Sequence, residues 1–258
     1  MSQQTTLVIG EGEIGLPIAK ILSSIYNVIT KDVEPISDPG EISVLHICYP
    51  FQIDNFVETT IRYIKNYAPE ITIIHSTVIP GTTNQIGEQV SSPVIYSPVR
   101  GKHSKMTEEL LSLRKYVSSA NQDGLAKGID HLEQAKIKTE KFSSVESLEL
   151  AKLQETTYFG LLIAWAQEMK RYSDLLDADY EEVARFALAD GISFMPNVIF
   201  QPGFIGGHCV MPNIELLETI KKSSFLDAIK ESNDLKKSEW LSEGQDLDKR
   251  LKPSDMEN

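Results

Sequence analysis

Short apolar runs alternate with amphipathic stretches over the first hundred residues. The runs are rich in valine and isoleucine and have the length of buried strands, whereas the stretches between them repeat apolar positions as helices do. This alternation is typical of a parallel sheet covered by helices. We predict strands at 6–9, 27–31, 44–48, 71–75 and 94–96, helices at 14–26 and 55–66, and a strand at 114–119 with a helix at 123–134 completing the sheet.

A longer helical pattern begins near residue 143. Ser143 and Glu146 have the spacing of a capping box, and apolar positions then recur without a proline to about Leu176. Such a helix would be about 45 Å long, which is longer than a crossover connection in the sheet requires. A second helix is predicted at 179–189. The sequence therefore predicts a Rossmann-type sheet domain at 1–142, a mainly helical domain built on the long helix at 143–234, and a charged tail that frays at 235–258.

A glycine-rich turn joins the first predicted strand to the first helix. Gly10, Gly12 and Gly15 have the G-x-G-x-x-G spacing, which allows a tight turn, close approach of a pyrophosphate, and phosphate binding at the helix N-terminus. Asp32 ends the second strand about twenty residues later, where a carboxylate accepts ribose hydroxyls. We predict that NAD is bound by Gly10, Gly12, Glu13, Ile14, Gly15 and Asp32. Lys31 beside Asp32 leaves the choice between NAD and NADP open. The alternative to cofactor binding is a glycine turn that only links the strand to the helix.

Charge and composition narrow the classes of partner. A net charge of -12 disfavours nucleic acid and anionic membranes, because long-range repulsion opposes their approach. No apolar run reaches the roughly 18 residues needed to span a bilayer, and no signal peptide is recognisable. Two cysteines make no disulfide framework, so we expect a cytoplasmic protein with Cys48 as a buried strand residue. His46, His75, His103 and His131 lack metal-ligand spacing, and no metal is expected.

Three later segments, taken with the glycine turn, resemble one enzyme family. The segments are STVIPGTT at 76–83, LAKLQETT at 150–157 and QPGFIGGHCVMP at 201–212. Over residues 6–234 the chain resembles the UDP-glucose/GDP-mannose dehydrogenase family, and the last segment resembles its UDP-N-acetylmannosamine branch. The resemblance implies that a small molecule, a nucleotide sugar, is oxidised twice at one site with two NAD.

The resemblance assigns roles to particular side chains. Cys209 would capture the intermediate aldehyde, Lys152 would stabilise the developing oxyanion, and Thr77 would hold a water. The resemblance also places Pro50 and Thr77 at the cofactor and Gly206, Gly207 and His208 at the substrate. Taken alone, Cys209 could equally be a turn residue, and a lysine on a long helix is usually a solvated charge.

The sequence departs from the family where the family transfers protons. Val99 follows Ser97-Pro98 in place of a glutamate, Thr156 replaces an asparagine, and Asn213 replaces an aspartate. An amide cannot accept a proton at neutral pH, so we expect Thr156 and Asn213 in the site with altered roles. The chain also stops where the family continues with a nucleotide-sugar-binding domain.

A compact basic cluster follows Val99. Arg100, Lys102 and His103 would hold a phosphate or carboxylate of the substrate, or would form a solvated loop.

Three functional hypotheses remain. The first is an NAD-dependent dehydrogenase that acts on the CH–OH group of a sugar-derived or other hydroxylated substrate. It would carry out either one oxidation, to the aldehyde or ketone, or the two oxidations of the family. The second is a catalytically silent or partner-dependent NAD-binding protein. The third is a shorter hydroxyacid-type dehydrogenase with a catalytic lysine on the long helix. Gly160, Ala164 and Trp165 on that helix favour packing against a second copy, and hence a homodimer.

Overall fold

The computed structural model describes residues 4–186, 199–207 and 209–243. The chain divides into two structural units, the first ending at Lys152 and the second beginning at Leu153. The division falls inside the long helix, about ten residues after the domain boundary predicted from the sequence.

Five parallel strands form the sheet of the first unit, and their order is β2-β1-β3-β4-β5. The predicted α/β fold is therefore present. β2 and β3 lie on opposite sides of β1, so the carboxyl ends of β1 and β3 form the switch point at which such sheets bind ligands. The strands are β1 (Thr5–Ile9), β2 (Asn27–Lys31), β3 (Val44–Ile47), β4 (Ile71–Ile74) and β5 (Val94–Tyr96).

Helices cover both faces of this sheet and enclose two apolar cores. One core contains side chains of α1, α4 and α5, and the other contains side chains of α2, α3 and the start of α6. β3, β4 and β5 are buried at every residue, which explains their largely apolar sequences, whereas the edge strand β2 is partly exposed. The helices are α1 (Gly15–Leu22), α2 (Phe56–Tyr67), α3 (Thr82–Gly87), α4 (Met106–Ser112), α5 (Gln122–Gln134) and α6 (Val145–Leu175).

The strand predicted at 114–119 does not extend the large sheet. β6 (Lys115–Val117) pairs in parallel with β7 (Thr139–Lys141) in a separate two-stranded sheet. One antiparallel bridge, between Tyr96 and Ser118, links it to β5. The sequence of β7 is polar, so hydrophobic alternation gave no sign of this partner.

The first turns of α6 are fixed to the turn before α3. Glu149 is fully buried and accepts hydrogen bonds from the backbone N–H groups of Gly81 (2.6 Å) and Thr83 (2.9 Å), and from the Thr83 hydroxyl (2.7 Å). Burial raises the pKa of Glu149, and these hydrogen bonds partly oppose that rise. The N-terminus of α6 is capped by Ser144, which accepts from the Ser147 N–H, and not by the predicted box at Ser143.

The second unit is helical. Gly160 and Ala164 of α6 face its core: a Cβ at Gly160 would lie 2.5 Å from Cγ1 of Val210, and Ala164 is buried with Ile229. Both were predicted to face a second copy and instead pack within the chain, whereas Trp165 is exposed. The other helices are α7 (Tyr180–Phe186), α8 (Val210–Ile220) and α9 (Ser224–Ser242).

The predicted frayed tail is wrong for residues 235–242, which continue α9. Trp240 is buried, and Arg171 of α6 donates from Nε to Glu239 at 2.8 Å. The charged side chains therefore pair with α6, a contact that hydropathy does not reveal. Residues 187–189 of the second predicted helix and residues 244–258 lie outside the described residues. Every helix within the described ranges is too short or too polar to cross a bilayer.

Candidate active site

The three glycines of the turn after β1 have different surroundings. Gly10 has φ +103°, and a Cβ there would lie 2.7 Å from the backbone nitrogen of Tyr49. A Cβ at Gly15 would lie 1.7 Å from the carbonyl oxygen of Gly10, whereas one at Gly12 would meet no atom within 4 Å. Gly10 and Gly15 thus permit close packing. Gly12 keeps open a cradle that a side chain would fill, and this fits the approach of a pyrophosphate.

The start of α1 completes this cradle. Ile14 is the N-cap residue and makes no side-chain capping bond, so the helix N-terminus is open to an anion. Glu11 and Glu13 are exposed. Both residues lie on the surface of the turn, and acidic side chains there are compatible with a pyrophosphate when they face solvent.

The end of β2 suits a ribose with free hydroxyls. Asp32 is exposed, as a ribose ligand requires. Lys31 is buried, and its Nζ donates to the carbonyl oxygens of Asp32 (2.7 Å) and Glu34 (2.7 Å) and lies 5.7 Å from the ring centre of Tyr63. The ammonium is thus turned into the protein and not towards a 2′-phosphate. Pro50 is exposed just beyond β3, at the switch point.

Thr77 and Lys152 both lie in the first unit. Thr77 is half-buried in the loop after β4, next to Ser76, whose hydroxyl donates to the carbonyl oxygen of Tyr49 at 2.5 Å. Lys152 is half-buried on α6, three residues after Glu149. Since Glu149 binds the turn that follows Thr77, the hydrogen bonds of its carboxylate fix the helix that carries Lys152.

The segment after β5 no longer offers a catalytic acid. Val99 is buried in the core between the sheet and α1, α4 and α5. The guanidinium of Arg100 lies 5.6 Å from the ring centre of Tyr116, and Lys102 is exposed, with its backbone N–H donating to Glu109 at 2.8 Å. His103 begins a short 3-10 helix at 103–105. The basic loop is therefore anchored at Arg100 and exposed at Lys102.

In the second unit, two predicted site residues are in contact. Nδ2 of Asn213 donates to the Thr156 hydroxyl at 3.0 Å, and that hydroxyl donates to the carbonyl oxygen of Leu153 at 3.0 Å. The hydroxyl proton is used, so Thr156 must accept from Asn213. Cys209 is the half-buried N-cap residue of α8, one turn before Asn213, and follows Gly206 and Gly207 (φ +82°). His208 lies outside the described residues.

Three buried histidines in the first unit form a hydrogen-bonded chain that spacing along the sequence did not reveal. His75 Nδ1 lies 2.9 Å from the carbonyl oxygen of Ser97, His75 Nε2 lies 2.8 Å from His46 Nδ1, and His46 Nε2 lies 3.1 Å from His131 Nε2. Because the Ser97 carbonyl can only accept, His75 donates to it and every tautomer along the chain is fixed. His131 Nδ1 then carries no proton and is buried without a partner among the described residues.

Burial keeps the three histidines neutral. It lowers the pKa of His46 and His75 well below the ordinary value, and that of His131 to about 4. Beside the chain, Nζ of the buried Lys115 donates to the carbonyl oxygens of Ser97 (2.7 Å) and Pro98 (2.9 Å), and burial lowers the pKa of Lys115 to about 7. In the described residues no group of histidine, cysteine or acidic side chains is arranged to bind a metal.

Residues 146–234 match the central domain of the UDP-glucose/GDP-mannose dehydrogenase family. The matched segment contains Lys152, Thr156, Cys209 and Asn213. This match confirms the resemblance that the sequence motifs predicted.

Curated relatives match longer parts of the chain. The UDP-N-acetyl-D-mannosamine dehydrogenase of Methanococcus maripaludis is 25% identical over 286 aligned residues, which cover 88% of this chain and 64% of the relative. The UDP-N-acetyl-D-glucosamine 6-dehydrogenase of Pseudomonas aeruginosa is 32% identical over 158 residues, 55% of this chain and 35% of the relative. The chain thus spans between about a third and two thirds of these relatives.

Solved structures share the fold. A UDP-D-ManNAc dehydrogenase from Pyrococcus horikoshii superposes with a TM-score of 0.79 at 21% identity, covering 93% of this chain and 70% of that chain. A 3-hydroxyisobutyrate dehydrogenase from Mycobacterium tuberculosis, solved with L-serine, gives a TM-score of 0.69 at 15% identity, covering 93% and 94%. At these identities the likeness concerns the fold alone.

Proposed function

We propose that this chain, whose residues 146–234 carry the central domain of the UDP-glucose/GDP-mannose dehydrogenase family, is an NAD-dependent oxidoreductase that oxidises an alcohol group. The observation that carries the proposal is the cradle at Gly12, where a missing side chain leaves space for a pyrophosphate beside an open helix N-terminus. The chain also retains Lys152 and Cys209, which correspond to catalytic groups of the resembled family.

The cofactor assignment rests on groups of the first unit. Gly12, Glu13, Ile14 and Gly15 would bind the pyrophosphate through backbone N–H groups, and Asp32 would accept hydrogen bonds from the ribose hydroxyls. Gly10, whose N–H donates to the Lys31 carbonyl oxygen at 2.8 Å, would shape the turn. Pro50 and Thr77 would flank the nicotinamide end. NAD is preferred over NADP because the Lys31 ammonium is bound by carbonyl oxygens and leaves the Asp32 carboxylate facing solvent. When bound, NAD accepts the hydride of the alcohol carbon.

We infer that oxidation stops at the aldehyde or ketone. The alcohol loses a hydride to NAD and a proton to solvent, while Lys152 stabilises the negative charge that develops on the substrate oxygen. A second oxidation to a carboxylate would need water to attack a thioester at Cys209, and water attack needs a base. The buried Val99 and the Asn213 amide, held by Thr156, provide none.

The relatives' names suggest the substrate class. The curated relatives are dehydrogenases of UDP-N-acetyl sugars, so a nucleotide sugar is the first substrate to test. Arg100, Lys102 and His103 would meet its phosphates, and Gly206, Gly207 and His208 would line the sugar side. We place the enzyme in the cytoplasm, as a homodimer.

A hydroxyacid-type dehydrogenase is the second candidate. The 3-hydroxyisobutyrate dehydrogenase from Mycobacterium tuberculosis is matched over 94% of its own length, more than the sugar dehydrogenase is. In that case Lys152 alone would carry the chemistry and Cys209 would be dispensable. A silent or partner-dependent NAD-binding protein is the third, because Val99, Thr156 and Asn213 replace polar groups of the family.

NADH formation from NAD distinguishes these candidates. UDP-sugars, GDP-sugars and simple hydroxyacids are assayed with the unaltered chain, Lys152→Ala, Cys209→Ser and the control Lys170→Ala, which removes a lysine further along α6. We expect one NADH per sugar, a carbonyl product, and at least a hundredfold loss of kcat in Lys152→Ala. In Cys209→Ser we expect a loss of about tenfold, because the thiol would lie against the substrate carbon but forms no bond to it in a single oxidation. Loss in Lys152→Ala alone would favour the hydroxyacid enzyme. NAD binding without turnover would favour the silent protein, and two NADH with a carboxylate would contradict the single oxidation.

A further inference from the structure

The segment that leads to Cys209 is held by side chains. Gly203–Ile205 lies outside any helix or strand. Yet the Ile205 N–H donates to Oδ1 of Asn233 at 2.7 Å, and Nδ2 of Asn233 donates back to the Ile205 carbonyl oxygen at 3.1 Å. Nε2 of Gln167 donates to the Gly203 carbonyl oxygen at 2.7 Å. Two amides, one on α9 and one on α6, thus bind the backbone of this segment.

The orientation of both amides is determined. Asn233 faces one backbone donor and one backbone acceptor, so only one placement of its amide makes both bonds. Oε1 of Gln167 accepts from the Ser232 hydroxyl at 2.9 Å, which leaves its Nε2 for Gly203. Asn233 and Gln167 are almost fully buried, so a broken bond is not replaced by water.

The held segment is close to Cys209 along the chain. Ile205 is itself buried against Val210 and Ile214 of α8, the helix that Cys209 begins. Cys209 is the fourth residue after Ile205, and Gly207 between them has φ +82°. A displacement of Ile205 is therefore passed directly to the start of α8.

We propose that Asn233 and Gln167 are positioning residues that set the place and exposure of the Cys209 thiol. The functional meaning of this clamp rests on the proposed function, in which Cys209 acts on the substrate. The clamp itself is a property of the second unit and is testable without turnover.

The test is the rate at which Cys209 reacts with the aromatic disulfide DTNB. The thiolate attacks one sulfur, forms a mixed disulfide and releases one coloured thiolate, so electrons and atoms balance. Cys48 contributes little because it is buried and burial raises its pKa to about 12. Asn233→Ala and Gln167→Ala are compared with Asn84→Ala, which removes a half-buried amide of the first unit that donates to Glu146 at 2.6 Å.

We expect Asn233→Ala to increase the rate of Cys209 modification at least fivefold, and Gln167→Ala at least twofold, at a temperature where both variants remain folded. Asn84→Ala should leave the rate unchanged. Where turnover is measurable, kcat should fall in both clamp variants with the KM for NAD unchanged. If Asn233→Ala does not fold, the same comparison is made with Gln167→Ala and Asn233→Asp. The aspartate places an oxygen, which cannot donate, opposite the Ile205 carbonyl oxygen.

Folded clamp variants with the modification rate of the unaltered chain would overturn the proposal. Failure of the proposed function gives a different result. In that case Cys209→Ser retains full turnover, or no substrate is oxidised, while the DTNB rates still report whether the clamp sets the thiol.

Discussion

At the scale of single residues, the contrast between Gly12 and Gly10 allows binding to be separated from folding. A methyl at Gly12 meets no protein atom, so Gly12→Ala should leave the midpoint of thermal unfolding within about 2 °C and occupy the cradle. We expect its affinity for NAD to fall at least tenfold, about 1.4 kcal/mol. Gly10→Ala should instead cost more than about 1 kcal/mol of unfolding free energy, because φ is +103° and Tyr49 leaves no space.

Calorimetric titration with NAD and thermal denaturation measure these two effects. Gly87→Ala is the matched control, because a Cβ at Gly87 also meets nothing within 4 Å, at the end of α3. An unchanged NAD affinity in Gly12→Ala would show that the cradle does not bind the cofactor.

The sequence predicted residues well where the physical reason is local. The glycine spacing identified the turn, and the apolar run at 44–48 indicated that Cys48 is buried, which the structure confirms. The Lys31 ammonium points inward because carbonyl oxygens of the following loop accept its hydrogen bonds. The residue type alone does not predict this orientation. Thr156 and Asn213 were placed in one site by resemblance, but their hydrogen bond joins residues 57 positions apart.

At the scale of elements, the histidine chain links β3, the end of β4 and α5, and it makes folding sensitive to acid. Buried His131 has its pKa lowered from 6.5 to about 4, so the unfolded chain binds more protons below pH 6.5. Stability is therefore fully present above pH 6.5 and is lost as the pH falls towards 4. At pH 5 the lowered pKa of His131 alone should reduce the free energy of unfolding by about 2 kcal/mol, because each pH unit between the two pKa values contributes about 1.4 kcal/mol. His46 and His75 act in the same direction.

His131→Gln tests this dependence, because the glutamine amide donates to His46 but does not titrate. Urea unfolding between pH 5 and 8 should show a smaller loss at low pH than in the unaltered chain. His103→Gln removes a histidine that does not belong to the histidine chain. Its unfolding free energy should therefore depend on pH as that of the unaltered protein does. Glu149, whose raised pKa gives the opposite sign, is present in all three proteins and cancels in the comparison. Parallel curves for His131→Gln and the unaltered chain would contradict the assignment.

The elements found from the sequence are those with strong periodicity. The five strands of the sheet, α1, α2, α5 and the long α6 appear within a few residues of their predicted bounds. α3 and α4 are too short to repeat an apolar pattern and β7 is polar, so all three were missed. The histidine chain was also missed, since its hydrogen bonds join residues 29 and 85 positions apart and sequence spacing reveals only near neighbours.

At the scale of the whole molecule, α6 has an exposed aromatic stripe in the second unit. Tyr158, Trp165 and Tyr172 are 58%, 57% and 57% exposed and recur every seven residues, so they lie along one face of the helix. Such a face is costly to leave in water and, on a two-fold axis, is complementary to itself. We therefore expect the predicted homodimer to form through this face, and not through the Gly160 and Ala164 face that packs against α8 and α9.

Trp165→Glu places a charge at the centre of the stripe and should raise the dimer dissociation constant at least a hundredfold, because an unpaired carboxylate would have to be buried. Light scattering after size exclusion should give the mass of two chains for the unaltered protein and of one chain for the variant. Phe225→Glu, at an exposed aromatic of α9 outside the stripe, should remain dimeric. A single-chain mass for the unaltered protein at every concentration would exclude the dimer. A dimer that persists in Trp165→Glu would place the interface on another face.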